Sequence, residues 1–207
     1  MIAVIDYSAG NIQSVIKALE YIGCEDICVT NNKTTLLQAD AAILPGVGSF
    51  GHAMDCLHKS GLTEAVKEFI ASDKPFLGIC LGLQMLFEES EESPGVPGLG
   101  ILKGKICLIP CEYGYDLKMP HIGWNSLDIQ KSGGLFDGID DGAYVYFVHS
   151  YYLKAEDRDV VSSQTKYGVT IDASVQQGNL FATQFHPEKS GEVGIRMLRN
   201  FVSLIHK

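Results

Sequence analysis

The sequence predicts an α/β fold, built on a mostly parallel central sheet with helices on both faces and with antiparallel strands added to it. Two observations support this fold class. In the first half of the chain, short apolar runs alternate with amphipathic segments, which is typical of parallel sheets covered on both faces. In the second half, apolar runs follow one another with only short polar breaks, as they do in hairpins.

The first half is predicted to begin with a strand over 2–6, "IAVID". Apolar residues then recur at helical spacing before the stop at Gly23, namely Ile12, Val15, Ile16, Leu19 and Ile22. Three further strands are predicted at 26–30, 41–45 and 75–80. Helices over 52–60 and 62–72 fit between the last two of these strands.

The second half is predicted to add strands to the same sheet. These strands are 105–110, 125–129, 143–148, 168–175 and 180–185. A final helix is predicted over about 190–205 from its apolar stripe. The stretch 88–99 is predicted to be a loop, too short and too central to be a domain linker. We therefore expect a single domain, residues 1–207.

The composition excludes several classes of function. The formal net charge of −9 over 207 residues argues against a surface that coats nucleic acid. The chain has no basic leader and no apolar run near the roughly 20 residues of a membrane span, so neither a signal peptide nor a membrane segment is predicted. The six cysteines have neither C-x-x-C nor zinc-finger spacing. We expect a cytoplasmic protein with free thiols and without a metal or cofactor.

The run "GICLG" (78–82) has the form of a nucleophile elbow between a strand and a helix. That turn is so tight that side chains two residues before and after the nucleophile would collide, and Gly78 and Gly82 avoid this. The residues 81–89 can form a helix, whose N-terminus would favour the thiolate of Cys80. A buried core cysteine is the alternative, but each glycine inside a regular element costs about 1 kcal/mol. Cys80 is therefore predicted to be a nucleophile.

A thiol nucleophile needs a base and a group that orients the base. The segment "QFHPEKS" (184–190) follows a predicted strand and provides both. Pro187 keeps His186 extended, and in an extended segment residues i and i+2 point the same way. Glu188 can then hold the imidazole of His186 in one tautomer. A surface turn is the alternative interpretation of "HPE" alone.

The glycine-rich segment "PGVGSFG" (45–51) follows the third predicted strand, at the sheet edge where ligands bind in open parallel sheets. An oxyanion hole needs backbone N–H donors, and the N–H of Leu81 is one such donor. The glycine-rich segment can bring another, because glycine permits close approach and a peptide flip. A phosphate-binding loop is the alternative, but this segment has no lysine and therefore lacks the Lys-Ser/Thr pair of a Walker motif.

Together, these motifs resemble those of the class I glutamine amidotransferases, over the whole chain. The resemblance implies a flavodoxin-like fold and the triad Cys80, His186 and Glu188 acting on the side-chain amide of glutamine. The residues implied to bind glutamine or its oxyanion are Gly46, Val47, Gly48, Leu81, Gln84, Glu92, His149, Ser150 and Tyr151. A carboxylate such as Glu92 suits the α-ammonium group of glutamine, although a solvated acidic face is the alternative for 88–92.

Within this family, the segments "PGVGSFGHAM", "PHIGWN", "FVHSYY" and "QFHPEKSG" are typical of subunits that deliver ammonia to a cyclase in histidine biosynthesis. The resemblance thus implies a heterodimer with a (β/α)8-barrel cyclase subunit. Residues implied to lie near that interface are Asn11, Trp124, Tyr146 and Lys189. For Trp124 two interpretations remain, a core residue or an interface residue. Relatives commonly carry "DYGxGN" where this chain has "DYSAGN", so Ser8 predicts no positive φ there.

Three other functions remain as alternatives. One is an amidotransferase subunit of another pathway, such as anthranilate or pyridoxal phosphate synthesis, against which "HIGWN" argues. Another is a non-catalytic flavodoxin-like binding or signalling module, but Asp6 has no neighbouring carboxylate to form a receiver's acidic cluster. The third is a cysteine peptidase or esterase, which glutamine-specific turnover would exclude.

Overall fold

The computed structural model of the chain describes residues 1–110 and 118–206. In this part of the chain the strands are β1 (Ile2–Ile5), β2 (Ile27–Thr30), β3 (Ala41–Gly46), β4 (Phe76–Cys80), β5 (Glu89–Ser90), β6 (Gly104–Leu108), β7 (His121–Ser126), β8 (Asp128–Ile129), β9 (Tyr144–His149), β10 (Tyr151–Ala155), β11 (Val161–Tyr167), β12 (Val169–Gln177) and β13 (Leu180–Thr183). The α-helices are α1 (Ile12–Tyr21), α2 (Lys33–Gln38), α3 (Phe50–Lys59), α4 (Thr63–Ala71), α5 (Leu81–Gln84) and α6 (Gly191–Ser203).

The main sheet has a parallel half and an antiparallel half, which confirms the predicted fold class. Its order is β2-β1-β3-β4-β13-β12-β10-β6-β5, with β11 paired to β12 and β8. Strands β2, β1, β3, β4 and β13 are parallel to their neighbours in this half. The antiparallel half begins where β13 pairs with β12. The carboxyl end of β4, with Cys80, therefore lies between two parallel neighbours, β3 and β13.

Three expectations for strands of the second half were wrong in whole or in part. The predicted strand 143–148 does not join the main sheet, because β9 pairs with β7 in a separate two-stranded antiparallel sheet. The predicted strand 125–129 is divided between β7 and β8. Strand β13 was expected as an antiparallel addition, yet it is parallel to β4 on its other side. Such pairings join residues far apart in the chain, which the local pattern does not encode.

The helix after Cys80 is shorter than the sequence predicts. Helix α5 ends at Gln84, and Leu86 and Phe87 lie outside it. The carbonyl groups of Met85, Leu86 and Phe87 instead accept hydrogen bonds from the backbone N–H groups of residues 99–102. The predicted loop 88–99 also contains the short strand β5. Loop N–H groups from later in the chain thus replace the donors that a longer helix would supply.

Helices cover both faces of the parallel half. Strand β4 is buried along its whole length, and its side chains alternate between two cores. Phe76 packs with α3 and α4 on one face, whereas Leu77 packs with α1 and α6 on the other. The antiparallel additions extend the sheet beyond these helices. This burial on both faces fixes the end of β4, and hence the position of Cys80.

The backbone at Ser8 contradicts the sequence-based expectation, because its φ is +67°. A side chain at positive φ costs about 1–2 kcal/mol. The N–H of Ser8 donates to Oδ1 of Asp6 at 3.0 Å, and this local hydrogen bond helps to hold the turn. Serine therefore occupies the conformation that glycine adopts without strain.

The described cysteines Cys24, Cys28, Cys56, Cys80 and Cys107 are free thiols, as predicted. The remaining cysteine, Cys111, lies outside the described residues. None of the helices within 1–110 and 118–206 is long and apolar enough to cross a bilayer. In the same ranges, no group of three or more His, Cys, Asp and Glu side chains is arranged to hold a metal ion.

Candidate active site

Cys80 occupies a strained turn at the end of β4. Its φ of 56° and ψ of −107° lie outside the regions that residues with a side chain prefer. A Cβ at Gly78 would lie 2.9 Å from the carbonyl oxygen of Gly82, so the predicted collision across the elbow is confirmed. A Cβ at Gly82 would lie only 2.0 Å from the carbonyl oxygen of Leu44 in β3. The turn therefore needs glycine at both positions.

The structure brings His186 and Glu188 together, with 2.8 Å between His186 Nδ1 and Glu188 Oε1. Both side chains are buried, at 2% and 1% exposure. The predicted reason for their meeting was wrong in one respect. His186 is extended, but residues 187–189 form a short 3-10 turn, and this turn carries Glu188 back to the imidazole ring.

The His186 turn is fixed by its backbone contacts. The N–H of His186 donates to the carbonyl oxygen of Tyr146 at 3.0 Å. The hydroxyl of Ser190 donates to the carbonyl oxygen of His186 at 2.6 Å and accepts from the N–H of Tyr146 at 3.0 Å. A Cβ at Gly194 would lie 1.9 Å from the carbonyl oxygen of Pro187, so α6 packs directly against this turn. The imidazole consequently has little freedom to move.

The environment of His186 favours its charged form. Burial alone would lower the pKa of His186, but the Cys80 sulfur and the Glu188 carboxylate outweigh it and raise the pKa to about 9. Cys80 is near enough to raise this pKa. Nε2 of His186 nevertheless has no hydrogen-bond partner among the described residues. A buried polar atom without a partner is rare away from functional sites. Nε2 is therefore available to move a proton to or from a bound molecule.

The glycine-rich segment lies beside Cys80, as the sequence predicts. Strand β3 ends at Gly46, which pairs with Cys80 in the parallel register. A Cβ at Gly46 would lie 2.7 Å from Cβ of Leu81, so only glycine permits this approach. Gly48 has a φ of +98°, and the Val47 side chain between the two glycines is 40% exposed. As the first residue of α5, Leu81 has an N–H without a helical acceptor.

The segment 46–49, which we call the oxyanion segment, is held at both ends. Before it, the buried hydroxyl of Tyr7 donates to the carbonyl oxygen of Pro45 at 2.9 Å. Burial raises the pKa of Tyr7, so the phenol remains a neutral donor. After it, the N–H of Phe50 donates to Oε2 of Glu92 at 2.7 Å. Glu92 was predicted to bind an ammonium group, and the structure gives one of its oxygens this second role.

A cavity of about 450 Å³ opens over Cys80 and His186. The residues predicted for glutamine or oxyanion binding that line it are Val47, Gly48, Leu81, Gln84, Glu92, His149, Ser150 and Tyr151. Gly46 does not line the cavity, and Lys189, which was predicted for the interface, does. Both hydrogens of Gln84 Nε2 are used, by the Tyr151 carbonyl oxygen at 3.1 Å and by Gln184 Oε1 at 3.0 Å. A bound molecule can therefore hydrogen-bond to Gln84 only through Oε1.

His149 lines the cavity and forms a buried pair with His121 behind it. The sequence did not indicate a role for His121. His149 Nδ1 lies 2.9 Å from the carbonyl oxygen of Tyr151, which only accepts, so Nδ1 carries the proton. His149 Nε2 then accepts from His121 Nδ1 at 2.9 Å. Burial lowers the pKa of His149 to about 3 and that of His121 to about 4. The pair is therefore neutral, and each ring has one defined tautomer.

The four residues predicted for an interface occupy different surroundings. Trp124 is 55% exposed and meets the ring of Tyr146 edge-on at 6.1 Å, so it is a surface residue and not a core residue. Both lie on the β7–β9 sheet, which also exposes Ile122 and Tyr144. Asn11 precedes α1 and donates to Ser14 Oγ at 2.9 Å. The β7–β9 sheet thus presents an apolar surface beside the cavity.

A model of the family "Glutamine amidotransferase class-I" matches residues 3–204. The imidazole glycerol phosphate synthase subunit HisH of Methanothermobacter thermautotrophicus is 50% identical over 99% of this chain and 99% of that protein. The HisH subunit of Bacillus cereus (strain B4264) is 48% identical over 99% of this chain and 95% of that protein.

Solved structures of lower identity share the fold. A glutamine amidotransferase crystal structure aligns with a TM-score of 0.76 at 20% identity, covering 100% of both chains. PurLQS from Thermotoga maritima aligns with a TM-score of 0.73 at 20% identity, covering 98% of this chain and 97% of that chain.

Proposed function

The chain belongs to the class I glutamine amidotransferases, and from this premise we propose how its residues carry out the reaction. It hydrolyses glutamine to glutamate and ammonia and supplies the ammonia to a cyclase in histidine biosynthesis, which its likeness to the imidazole glycerol phosphate synthase subunit HisH supports. The observation that carries the assignment of the site is Cys80 on its strained turn, beneath a cavity that also contains His186. We propose residues 1–207 as a single catalytic domain that acts in the cytoplasm.

In the first half-reaction, Cys80 attacks the side-chain amide carbon of glutamine. With its pKa near 9, His186 is protonated at neutral pH, and its positive charge pairs with the sulfur that attacks as the thiolate. Attack forms the C–S bond and moves charge onto the amide oxygen. The N–H of Leu81 and a peptide N–H of the oxyanion segment stabilise that charge. Helix α5 has only four residues, so its dipole adds less than the sequence implied.

After the attack, His186 acts first as an acid, which completes the first half-reaction, and then as a base in the second. Nε2 donates its proton to the departing nitrogen, the C–N bond breaks, and ammonia leaves a γ-glutamyl thioester on Cys80. Neutral Nε2 next takes a proton from water, whose oxygen attacks the thioester and releases glutamate. The carboxylates in 88–92 are not needed for these proton transfers. Glu188 keeps Nδ1 of His186 protonated, which leaves Nε2 aimed at the cavity.

The cavity residues divide into donors and acceptors that suit glutamine. We assign the α-ammonium group to Glu92 and to Oε1 of Gln84, both of which are acceptors. His149, Ser150 and Tyr151 form a further part of the cavity lining. Each of these roles remains a prediction from position and chemistry.

The chain acts with a cyclase subunit, since its relatives are named as subunits of imidazole glycerol phosphate synthase. We propose that this partner is a (β/α)8 barrel that docks on the β7–β9 sheet, near Trp124, Tyr146, Lys189 and Asn11. Ammonia would pass through the barrel, where the cyclase forms imidazole glycerol phosphate and AICAR. The exposed aromatic side chains of the β7–β9 sheet suit such an interface.

The test replaces the nucleophile in the assembled complex. Cys80→Ala should abolish glutamine-dependent activity while ammonia-dependent activity of the cyclase survives. Cys28→Ala, a thiol on the edge strand β2, is the matched control and should retain both activities. Loss of both activities in a Cys80→Ala complex that still assembles would contradict the proposed division of labour. Adding glutamine with and without the cyclase would then show whether the partner controls turnover.

A further inference from the structure

Gln184 lies directly behind the nucleophile, and no step of the reaction above uses it. It follows β13, and its backbone N–H donates to the carbonyl oxygen of Ala173 at 2.8 Å. Its side chain is fully buried, and its Nε2 lies 3.8 Å from Sγ of Cys80. It is not among the residues that line the cavity. The side chain therefore touches the reacting sulfur from the protein side, where glutamine does not bind.

The hydrogen bonds around Gln184 determine which end of its amide faces the sulfur. The carbonyl oxygen of Tyr151 can only accept, so the Gln84 atom 3.1 Å from it is the NH2 group. The same NH2 group lies 3.0 Å from the Gln184 amide, and the atom of Gln184 that receives it must be Oε1. The remaining end of Gln184, which points to Cys80, is therefore the NH2 group.

We propose that Gln184 is a further catalytic residue, which donates an N–H hydrogen bond to the Cys80 thiolate and holds the sulfur below the cavity. Gln84 is the positioning residue that fixes its orientation. The proposal rests on the function proposed above, in which Cys80 is the nucleophile. A buried thiolate needs donors as well as a countercharge. Gln184 provides a donor on the side of the sulfur that a bound substrate leaves free.

This role makes a specific kinetic prediction. The donor acts on the thiolate, which exists before attack and again when the thioester is hydrolysed. Because Gln184 does not line the cavity, its loss should lower kcat for glutamine and leave KM within about twofold. Hydrogen bonds to charged groups are strong enough that the expected loss in kcat is about 10- to 100-fold.

The principal variant is Gln184→Glu, measured in the complete complex with its cyclase. A glutamate keeps an oxygen to accept from Gln84 but replaces the NH2 group with a second oxygen. When protonated, that oxygen can still donate to the sulfur, and when ionised it repels the thiolate. The ratio of variant to wild-type kcat should therefore fall as pH rises, which a purely structural defect would not cause. Gln130→Glu, the same change at an exposed bend after β8, is the matched control and should behave as wild type.

The second measurement follows the sulfur directly. Iodoacetamide should alkylate Cys80 about 10- to 100-fold more slowly in Gln184→Glu than in wild type, as followed by mass spectrometry of the peptide that contains it. Gln184→Met removes the donor without adding a charge and should slow alkylation by a similar factor that does not grow with pH. Ammonia-dependent activity should be unchanged in both variants.

The outcomes separate this proposal from the function on which it rests. Wild-type kcat and alkylation rates in Gln184→Glu across the pH range would overturn the role of Gln184. If that variant does not assemble with the cyclase, Gln184→Met decides, and wild-type alkylation of it would equally overturn the role. A wild-type complex that fails to hydrolyse glutamine, or that hydrolyses it without Cys80, would instead overturn the proposed function.

Discussion

The neutral pair His121 and His149 makes the stability of the fold depend on pH. Burial keeps the pKa of His149 near 3, whereas the same side chain in the unfolded chain has its ordinary value of 6.5. Below pH 6.5 the unfolded chain therefore binds a proton that the folded chain does not bind. Stability should then fall as pH falls, because the unfolded state gains the protons.

The size of this effect follows from the interval between the two pKa values. Between pH 6.5 and pH 5, the unfolded chain alone gains the proton over about 1.5 pH units, at about 1.4 kcal/mol per unit. His149 should thus lower the free energy of unfolding by about 2 kcal/mol over this interval, and His121, whose pKa of about 4 also lies below pH 5, should add a similar amount. His186 does not oppose the trend. Folding raises its pKa, so its contribution to the free energy of unfolding is already fully present below pH 6.5.

Urea unfolding at pH 6.5, 6 and 5 measures this loss. His149→Gln is the informative variant, because an amide can donate to the Tyr151 carbonyl and accept from His121 without titrating. Its loss of stability between pH 6.5 and pH 5 should be about 2 kcal/mol smaller than that of wild type. His58→Gln, at an exposed position of α3, should leave the wild-type slope unchanged. An equal slope in His149→Gln and wild type would refute the reasoning.

Two further predictions concern packing and the partner. Gly82→Ala places a methyl group 2.0 Å from the carbonyl oxygen of Leu44 and should cost about 1–3 kcal/mol in urea unfolding. Gly23→Ala has no atom within 4 Å and should cost only about 1 kcal/mol for its positive φ, so equal losses would contradict the packing argument. Trp124→Ala should change the free energy of unfolding by less than about 1 kcal/mol. It should nevertheless weaken cyclase binding by about tenfold or more in calorimetry, and an unchanged Kd would argue against the proposed interface.

Local signals in the sequence were sufficient for the elbow and for much of the parallel half. The glycines around Cys80 and the helical spacing of α1 depend on residues within a few positions of each other. Helix α2 was missed because it has only six residues with few apolar positions. Strands β10 and β11 were missed because polar and charged residues interrupt their apolar pattern. The separate β7–β9 sheet depends on pairing that the local pattern does not specify.

The same limit applies to the site. The sequence placed Cys80 and His186 near each other through two motifs with known chemistry, and the structure brings them together around one cavity. It gave no signal for Gln184, although this residue stands two positions before His186. Its contact with Gln84 joins residues 100 positions apart and exists only after the sheet has formed. Roles of this kind arise from the packing of distant segments.

The two anchors of the oxyanion segment have a mechanical consequence. Tyr7 fixes the carbonyl group of Pro45 and Glu92 fixes the N–H of Phe50, so residues 46–49 form a short span between fixed supports. Any rearrangement of this span must occur by rotation of individual peptide units, since its ends cannot be displaced without breaking those hydrogen bonds. Such a rotation redirects an N–H group while β3 and α3 stay in place. The donors beside Cys80 can thus be aimed or withdrawn without disturbing the core beneath them.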